Sequence, residues 1–334
     1  MKLSDVSLSI LDLAPVVEGG TAADSFRNSL QLAQHAEQWG YKRYWLAEHH
    51  NMPGIASSAT SVVIGHIAAG TSRIRVGSGG IMLPNHAPLL IAEQFGTLES
   101  LYPGRIDLGL GRAPGSDNLT SRAVRRGLEM GGQNFPELLQ ELREYLQPAS
   151  AGDSSEVRAY PGAGLDIPIW LLGSSGFSAQ LAGQLGLPFA FASHFAPDYL
   201  LPALQLYHSS FRPSEALKEP YAMVGLNVVA ADTEEEAQRL ATSQQQQFLN
   251  IVRGTRGLLR PPVDSMDGLW NEQEKAYVRA TLKYAFTGTK ESLKEKLEQF
   301  VGMTQANELI VASQIHDHQA RLRSYELLAE LVQT

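Results

Sequence analysis

Arg73–Asp117 reads RIRVGSGGIMLPNHAPLLIAEQFGTLESLYPGRIDLGLGRAPGSD, and the fold is decided there. Two strand-like apolar runs, 74–82 and 105–111, flank a helix-like run over 87–101. That is one βαβ unit, the building block of parallel sheets with helices on their faces. The unusual residues sit where each strand ends. Ser78-Gly79-Gly80 strips side chains from a strand, which signals a bulge or a ligand pressed against the backbone. Gly109-Leu110-Gly111-Arg112 ends the second strand with two glycines and a guanidinium. An ordinary tight turn with a surface arginine reads the same way.

Working outward, further apolar runs fall at 6–13, 41–47, 167–172, 188–192, 221–231 and 308–313, and helical periodicity fills the stretches between them. Eight strand candidates alternating with helices predict an α/β fold, a closed (β/α)8 TIM barrel with insertions. A doubly wound open sheet is the runner-up, weakened because no tight G-x-G-x-x-G follows the first strand. No break in composition divides the chain, so 1–334 is read as one domain. Excursions are expected near 113–135 and 148–166. The stretch 251–271, rich in Gly and Pro and without helical period, reads as a long mobile loop.

The 334 residues and 43% hydrophobic content suffice for a large core. A net charge of −8 without a dense Lys/Arg cluster argues against nucleic acid or an anionic membrane as principal partner. No run has the apolar length of a membrane span, and residues 1–17 carry Asp5 and Asp12 among the apolar residues, unlike a signal peptide. With no cysteine, disulfides, thiolate catalysis and Cys-ligated metals are ruled out. A cytoplasmic protein is expected.

Placing the strands gathers the conspicuous polar residues. Glu48-His49-His50 follows the second strand, Gly79-Gly80 ends the third, Arg112 follows the fourth, Ser174-Ser175 the fifth and His194 the sixth. In a barrel these ends meet at one face, where such enzymes keep their active sites. Glu48-His49-His50 does not make a zinc motif, which needs two histidines one helical turn apart. A single histidine moving a proton fits better, since its pKa lies near neutrality; a polar pair in a loop is the plain alternative. Ser174-Ser175-Gly176-Phe177-Ser178 opens a helix straight after an apolar strand. Its free N–H groups suit a phosphate, with Arg112 as countercharge, although simple N-capping by Ser175 or Ser178 would use the same residues. His86 reads as structural, His66 as core or interface, and His316 and His318 as surface residues. Glu93 and Gln94 are placed for packing between subunits.

Together, WLAEHH at 45–50, VGSGGIMLPNHAPLLIAEQF at 76–95, YPGRIDLGLGRAPGSD at 102–117 and LLGSSGFSAQLAGQLG at 171–186 resemble the bacterial-luciferase-like family of flavin-dependent monooxygenases. The resemblance runs over nearly the whole chain and is nearest the uncharacterised single-chain subgroup. It implies a (β/α)8 barrel using reduced FMN and O2 to oxygenate a small organic substrate, with reduced flavin supplied by a separate reductase. A homodimer or larger homo-oligomer is expected. By resemblance, Arg112 with Ser174, Ser175 and Ser178 holds the phosphate, and Gly79-Gly80 forms a non-proline cis peptide against the flavin ring. His49 takes part in turnover. Gly111 stands where luciferase has a reactive cysteine, and Ser174 and Ser178 where it has Glu and Thr. Some relatives use the deazaflavin F420, so FMN- or F420-dependent hydride transfer is the alternative activity, and a non-catalytic flavin-binding protein the alternative class.

Overall fold

The computed structural model describes residues 2–113, 118–124, 134–148 and 157–333. Within them the chain runs β1 (Ser7–Asp12), α1 (Ala22–Gln38), β2 (Arg43–Leu46), α2 (Thr60–Ala69), β3 (Arg75–Ser78), β4 (Ile81–Met82), α3 (Pro88–Leu101), β5 (Ile106–Gly111), α4 (Asn118–Val124) and α5 (Phe135–Leu146). It continues with β6 (Ile169–Gly173), α6 (Gly176–Leu185), β7 (Phe189–Phe191), α7 (Leu200–Ser210), β8 (Ala222–Ala230), α8 (Glu234–Val252), α9 (Glu272–Thr281), β9 (Ala285–Gly288), α10 (Lys290–Thr304), β10 (Glu308–Ala312) and α11 (His318–Gln333). The strands pair in parallel in the order β1-β2-β3-β5-β6-β7-β8-β10, and β10 pairs back onto β1, closing the predicted eight-stranded barrel.

Two strands lie outside that circuit. β4 resumes the line of β3 after a break and pairs with β5, Ile81 opposite Leu110. β9, which is not among the strands read from the sequence, pairs with the outer half of β8, Asn227 opposite Ala285 and Ala230 opposite Gly288. Of the expected excursions, 114–117, 125–133 and 149–156 lie outside the described residues. The stretch 253–271 has no regular element, but it is tied down. Leu259 exchanges backbone hydrogen bonds with Val16 (2.9 Å) and Glu18 (2.8 Å) beyond β1, and Arg256 donates to the Asn51 carbonyl (2.9 Å) beyond β2.

Local signals set the helices. Thr21 and Asp24 form a reciprocal capping box on α1, which buries Leu32, Ala33 and Ala36 on one face. Thr289 caps α10, whose Leu293, Leu297, Phe300 and Val301 are buried. Gly186, in the left-handed region at φ 62°, ends α6.

Strand alternation then sorts the side chains. Ile10, Tyr44, Leu46, Val76, Leu108, Leu110, Phe189, Val224 and Val311 point outward into the layer beneath the helices. Leu11, Trp45, Ala47, Trp170, Ala190, Met223, Ile310 and Ala312 form a separate interior cluster. At the bottom of the barrel Arg43 bridges Asp107 (2.7 Å) and Glu308 (3.0 Å), Arg75 reaches Asp107 (2.8 Å), and Ser9 donates to Glu308. Every buried charge there has partners, the condition for keeping ions out of water. Above this floor Trp45 and Trp170 meet edge to face, ring centroids 5.2 Å apart.

Candidate active site

The same alternation determines what lies above the tryptophans. Continuing inward parity upward, β1 presents Leu13, β2 Ala47, β3 Gly79, β5 Gly109, β6 Leu172, β8 Gly225 and β10 Ala312. Five of these seven have a methyl group or no side chain at all. The inward side chains are therefore large below and small at the C-terminal mouth. At Gly79 a Cβ would stand 2.7 Å from Leu11 Cδ1 and 3.2 Å from Trp45, and at Gly80 it would stand 2.7 Å from the Gly109 carbonyl oxygen. The peptide between Gly79 and Gly80 is cis. Glycine is needed at both positions because Leu11, Trp45 and the Gly109 carbonyl occupy the space a side chain would take. Gly111 ends β5 one turn higher, packed against the Met82 side chain.

The next inward level carries the chemistry. His49 follows β2 at the parity of Trp45 and Ala47, and Ser174 follows β6 at the parity of Trp170 and Leu172. Arg112, half-buried just past β5, lays its guanidinium over the Phe177 ring, 4.3 Å from the centroid. Phe177 belongs to the first turn of α6, so the cation is held beside that helix's N-terminus. Ser175 is the N-cap residue, in extended conformation, yet its side chain makes no capping bond. Simple capping therefore does not account for Ser175. Ser178 is buried at 4% exposure against Gly173. Beside Ser174 opens a recess of about 260 Å³ walled by Phe195, Asp198, Tyr199 and Tyr277.

Glu48 has a different role from that of a metal ligand. Its carboxylate is 1% exposed. It accepts from His50 Nε2 (2.8 Å), from His86 Nε2 (3.0 Å), from the Met82 N–H (2.9 Å) and from Asn85 Nδ2 (3.3 Å). Burial alone would raise its pKa, but the bonds from His50 and His86 win and hold it down to about 2. The same contact raises the pKa of His50. One carboxylate thus ties the residues after β2, including the neighbour of His49, to the segment just beyond Gly79-Gly80. His86 is structural as expected, and its structural partner is the site itself.

His194 lies across the inward face of β8. Its Nδ1–Cε1 edge rests on Gly225, where a Cβ would overlap Nδ1 and stand 3.2 Å from Cε1. Asn227 Nδ2 donates to the His194 carbonyl (2.6 Å). Burial, with His49 adding its charge, lowers the His194 pKa to about 4. The sequence placed the proposed phosphate residues at neighbouring strand ends, and the structure brings Arg112, Ser175 and Ser178 together around the start of α6. It could not show the Phe177 stack, the four donors gathered on Glu48, or the seat of His194 on a glycine, since each depends on pairing between distant segments.

Residues 7–307 match the family of luciferase-like monooxygenases. A protein of Escherichia coli (strain K12) named luciferase-like monooxygenase is 54% identical over 98% of this chain and 97% of its own. N-acetyl-S-alkylcysteine monooxygenase of Bacillus subtilis (strain 168) is 33% identical over 98% of each chain. The crystal structure of apo-MsnO8 superposes with a TM-score of 0.87 at 36% identity, covering 98% of each chain. More distant structures share the fold alone. They include the FMN-bound oxygenating constituent of 3,6-diketocamphane monooxygenase (TM-score 0.72, 18% identity, 98% and 97% covered) and an F420-dependent secondary alcohol dehydrogenase (TM-score 0.70, 14% identity, 99% of each chain).

Proposed function

The chain belongs to the luciferase-like monooxygenase family, and from that premise we propose that it is an FMN-dependent monooxygenase that oxygenates a small organic substrate with O2. A separate reductase supplies the reduced flavin. The observation that carries this reading is the Arg112 guanidinium stacked on Phe177 beside a Ser175 that caps nothing. A strand end with a fixed cation, free helix N–H groups and spare hydroxyls fits a phosphate, and the small glycine and alanine residues of the neighbouring layer suit a flat ring. Arg112, Ser174, Ser175 and Ser178 would hold the phosphate; Gly79, Gly80 and Gly111 would leave room for the ring.

Bound reduced FMN supplies the electrons with which O2 is activated. The protein's part is positioning, proton handling and exclusion of water. His49, reaching inward from β2, exchanges a proton with the reacting centre. Glu48 keeps His49's neighbour and the Gly79–Met82 segment in register. The stretch 253–271, held to the loops beyond β1 and β2, is the lid that closes the mouth. Exposed Val62 (71%) on α2 and Leu90 (53%) on α3, with Glu93 beside them, support pairing of two copies through these helices.

Incubation with FMN, NADH, a general flavin reductase and isotopically labelled dioxygen tests the activity against a panel of thioethers, ketones and amides. Label in one product, dependent on both the protein and the reductase, is expected. Hydride transfer to or from the panel under strictly anaerobic conditions, with no label under air, would replace this reading with the F420-like alternative.

A further inference from the structure

The proposed mechanism leaves His194 without a task, yet its placement is specific. In the barrel order, β8 stands four places from β3, directly across the mouth from the Gly79-Gly80 wall. His194 projects from the end of β7 onto the inward face of β8. If the flavin ring lies on the Gly79-Gly80 side, as proposed above, the side facing it across the mouth carries His194. The organic substrate belongs in that gap.

The state of the ring follows from its contacts. Nδ1 is buried and has no hydrogen-bond partner among the described residues, and it lies against Gly225. A proton on Nδ1 would have no acceptor, whereas one on Nε2 can reach solvent or a ligand. The ring proton is therefore on Nε2. The residue is partly exposed although its Nδ1 is buried, so the accessible atoms of the ring lie away from Nδ1. A second proton is opposed by burial and by His49, the one titratable group acting on this ring among the described residues. Asn227, 1% exposed, fixes the main chain through the His194 carbonyl.

We propose that His194 is a substrate-contacting residue of the site, a neutral imidazole whose Nε2–H donates a hydrogen bond to an acceptor oxygen of the carbonyl class on the organic substrate. This rests on the flavin reading for the position of the substrate, not for the state of the ring. The two histidines then divide the work: His49 exchanges protons and His194 orients the substrate without titrating. Asn227 is a positioning residue, acting through the His194 main chain.

The test uses the full chain with ¹⁵N-labelled histidine. In the flavin-free protein at pH 7, His194 should show a neutral ring protonated at Nε2. In the FMN-saturated protein, cyclohexanone should shift the Nε2–H resonance and cyclohexylamine, a cation at this pH, should not. His194→Gln puts an amide donor near the Nε2 position and should keep cyclohexanone affinity within about threefold. His194→Asn reaches only the Nδ1 position and should lose about tenfold, as for one neutral hydrogen bond, with FMN affinity unchanged in both. A ring protonated at Nδ1, or charged at pH 7, overturns the proposal whether or not flavin binds. So does an Nε2–H indifferent to cyclohexanone, or an Asn variant that binds cyclohexanone as well as wild type. Loss of FMN binding in His194→Asn would put the residue on the cofactor and overturn it equally. Failure of the wild-type protein to bind FMN at all would instead refute the flavin reading, with the tautomer measurement still judging His194.

Discussion

Replacing Arg112 by alanine should weaken FMN binding by roughly tenfold to a hundredfold, the worth of a charge-assisted phosphate contact of about 1.5–3 kcal/mol. Arg27→Ala, whose side chain is 69% exposed on α1, is the matched control and should change nothing; equal small losses from both, by fluorescence titration, would remove the phosphate from Arg112. His49→Ala should keep FMN affinity and lower turnover by about 10²–10⁴-fold, once a substrate is in hand. His194 makes a pH prediction. Its folded pKa lies at about 4, below the 6.5 of an unperturbed histidine, so the unfolded chain takes up a proton first as pH falls. Its contribution to stability is full above pH 6.5 and is lost on acidification toward pH 4, amounting to about 2 kcal/mol by pH 5. Urea titrations at pH 7 and pH 5 should show this loss in wild type and less of it in His194→Gln. An identical pH 7 to pH 5 loss in both would show that the imidazole is not held neutral. Arg112, His49 and His194 all stood out in the sequence because each follows an apolar strand, but the seat of His194 on Gly225, thirty-one positions on, has no local signal.

At the level of elements, Glu48 joins two segments that the sequence reads separately. Glu48→Ala leaves the Met82 N–H and two histidines without their acceptor, at a cost of about 1–3 kcal/mol per buried group left unpaired. The segment bearing Gly79-Gly80 should loosen, so FMN affinity should fall along with the urea midpoint, although Glu48 touches no part of the proposed flavin site. Glu48→Gln, which keeps an acceptor oxygen, should recover part of both. Reduced stability with unchanged FMN affinity would show that the clamp does not support the ring seat. The helices were legible because their caps and apolar stripes are local, as with Thr21–Asp24 and Leu293–Val301. β9 was not, since Ala285–Gly288 has four residues, no alternation of burial and a preceding helical turn; only its pairing with β8 makes it a strand. Gly79-Gly80 was read as a bulge or a close approach and Gly109–Gly111 as a possible tight turn, but that Ala47, Gly225 and Ala312 share the level of Gly79 and Gly109 emerges only from strand register.

For the whole molecule, closure of the barrel depends on a few buried charges. Asp12 at the end of β1 accepts from Arg321 of α11 (2.7 Å), from Ser29 of α1 (2.5 Å), and from Tyr44 of β2. Its carboxyl is fully buried, and Arg321 offsets that burial to leave the pKa below the usual carboxylate value. Asp12→Ala strands the Arg321 charge in the interior and should cost about 3–5 kcal/mol, read as a lower urea midpoint; a loss under 1 kcal/mol would show that the pair is expendable. Such a link spans most of the chain and left no mark in the sequence, whereas the eight alternating strands did, because each is a short apolar run bounded by polar turns. A mouth that holds a flavin by its phosphate must tell flavins with and without a phosphate apart. The most direct measurement compares FMN with riboflavin, the same ring without a phosphate, by fluorescence titration of the wild-type protein and of Arg112→Ala. FMN should bind wild type at least tenfold more tightly than riboflavin, and Arg112→Ala should erase most of that difference while leaving riboflavin binding as it was. Equal affinity of wild type for the two flavins, or a preference that survives loss of Arg112, would contradict the account.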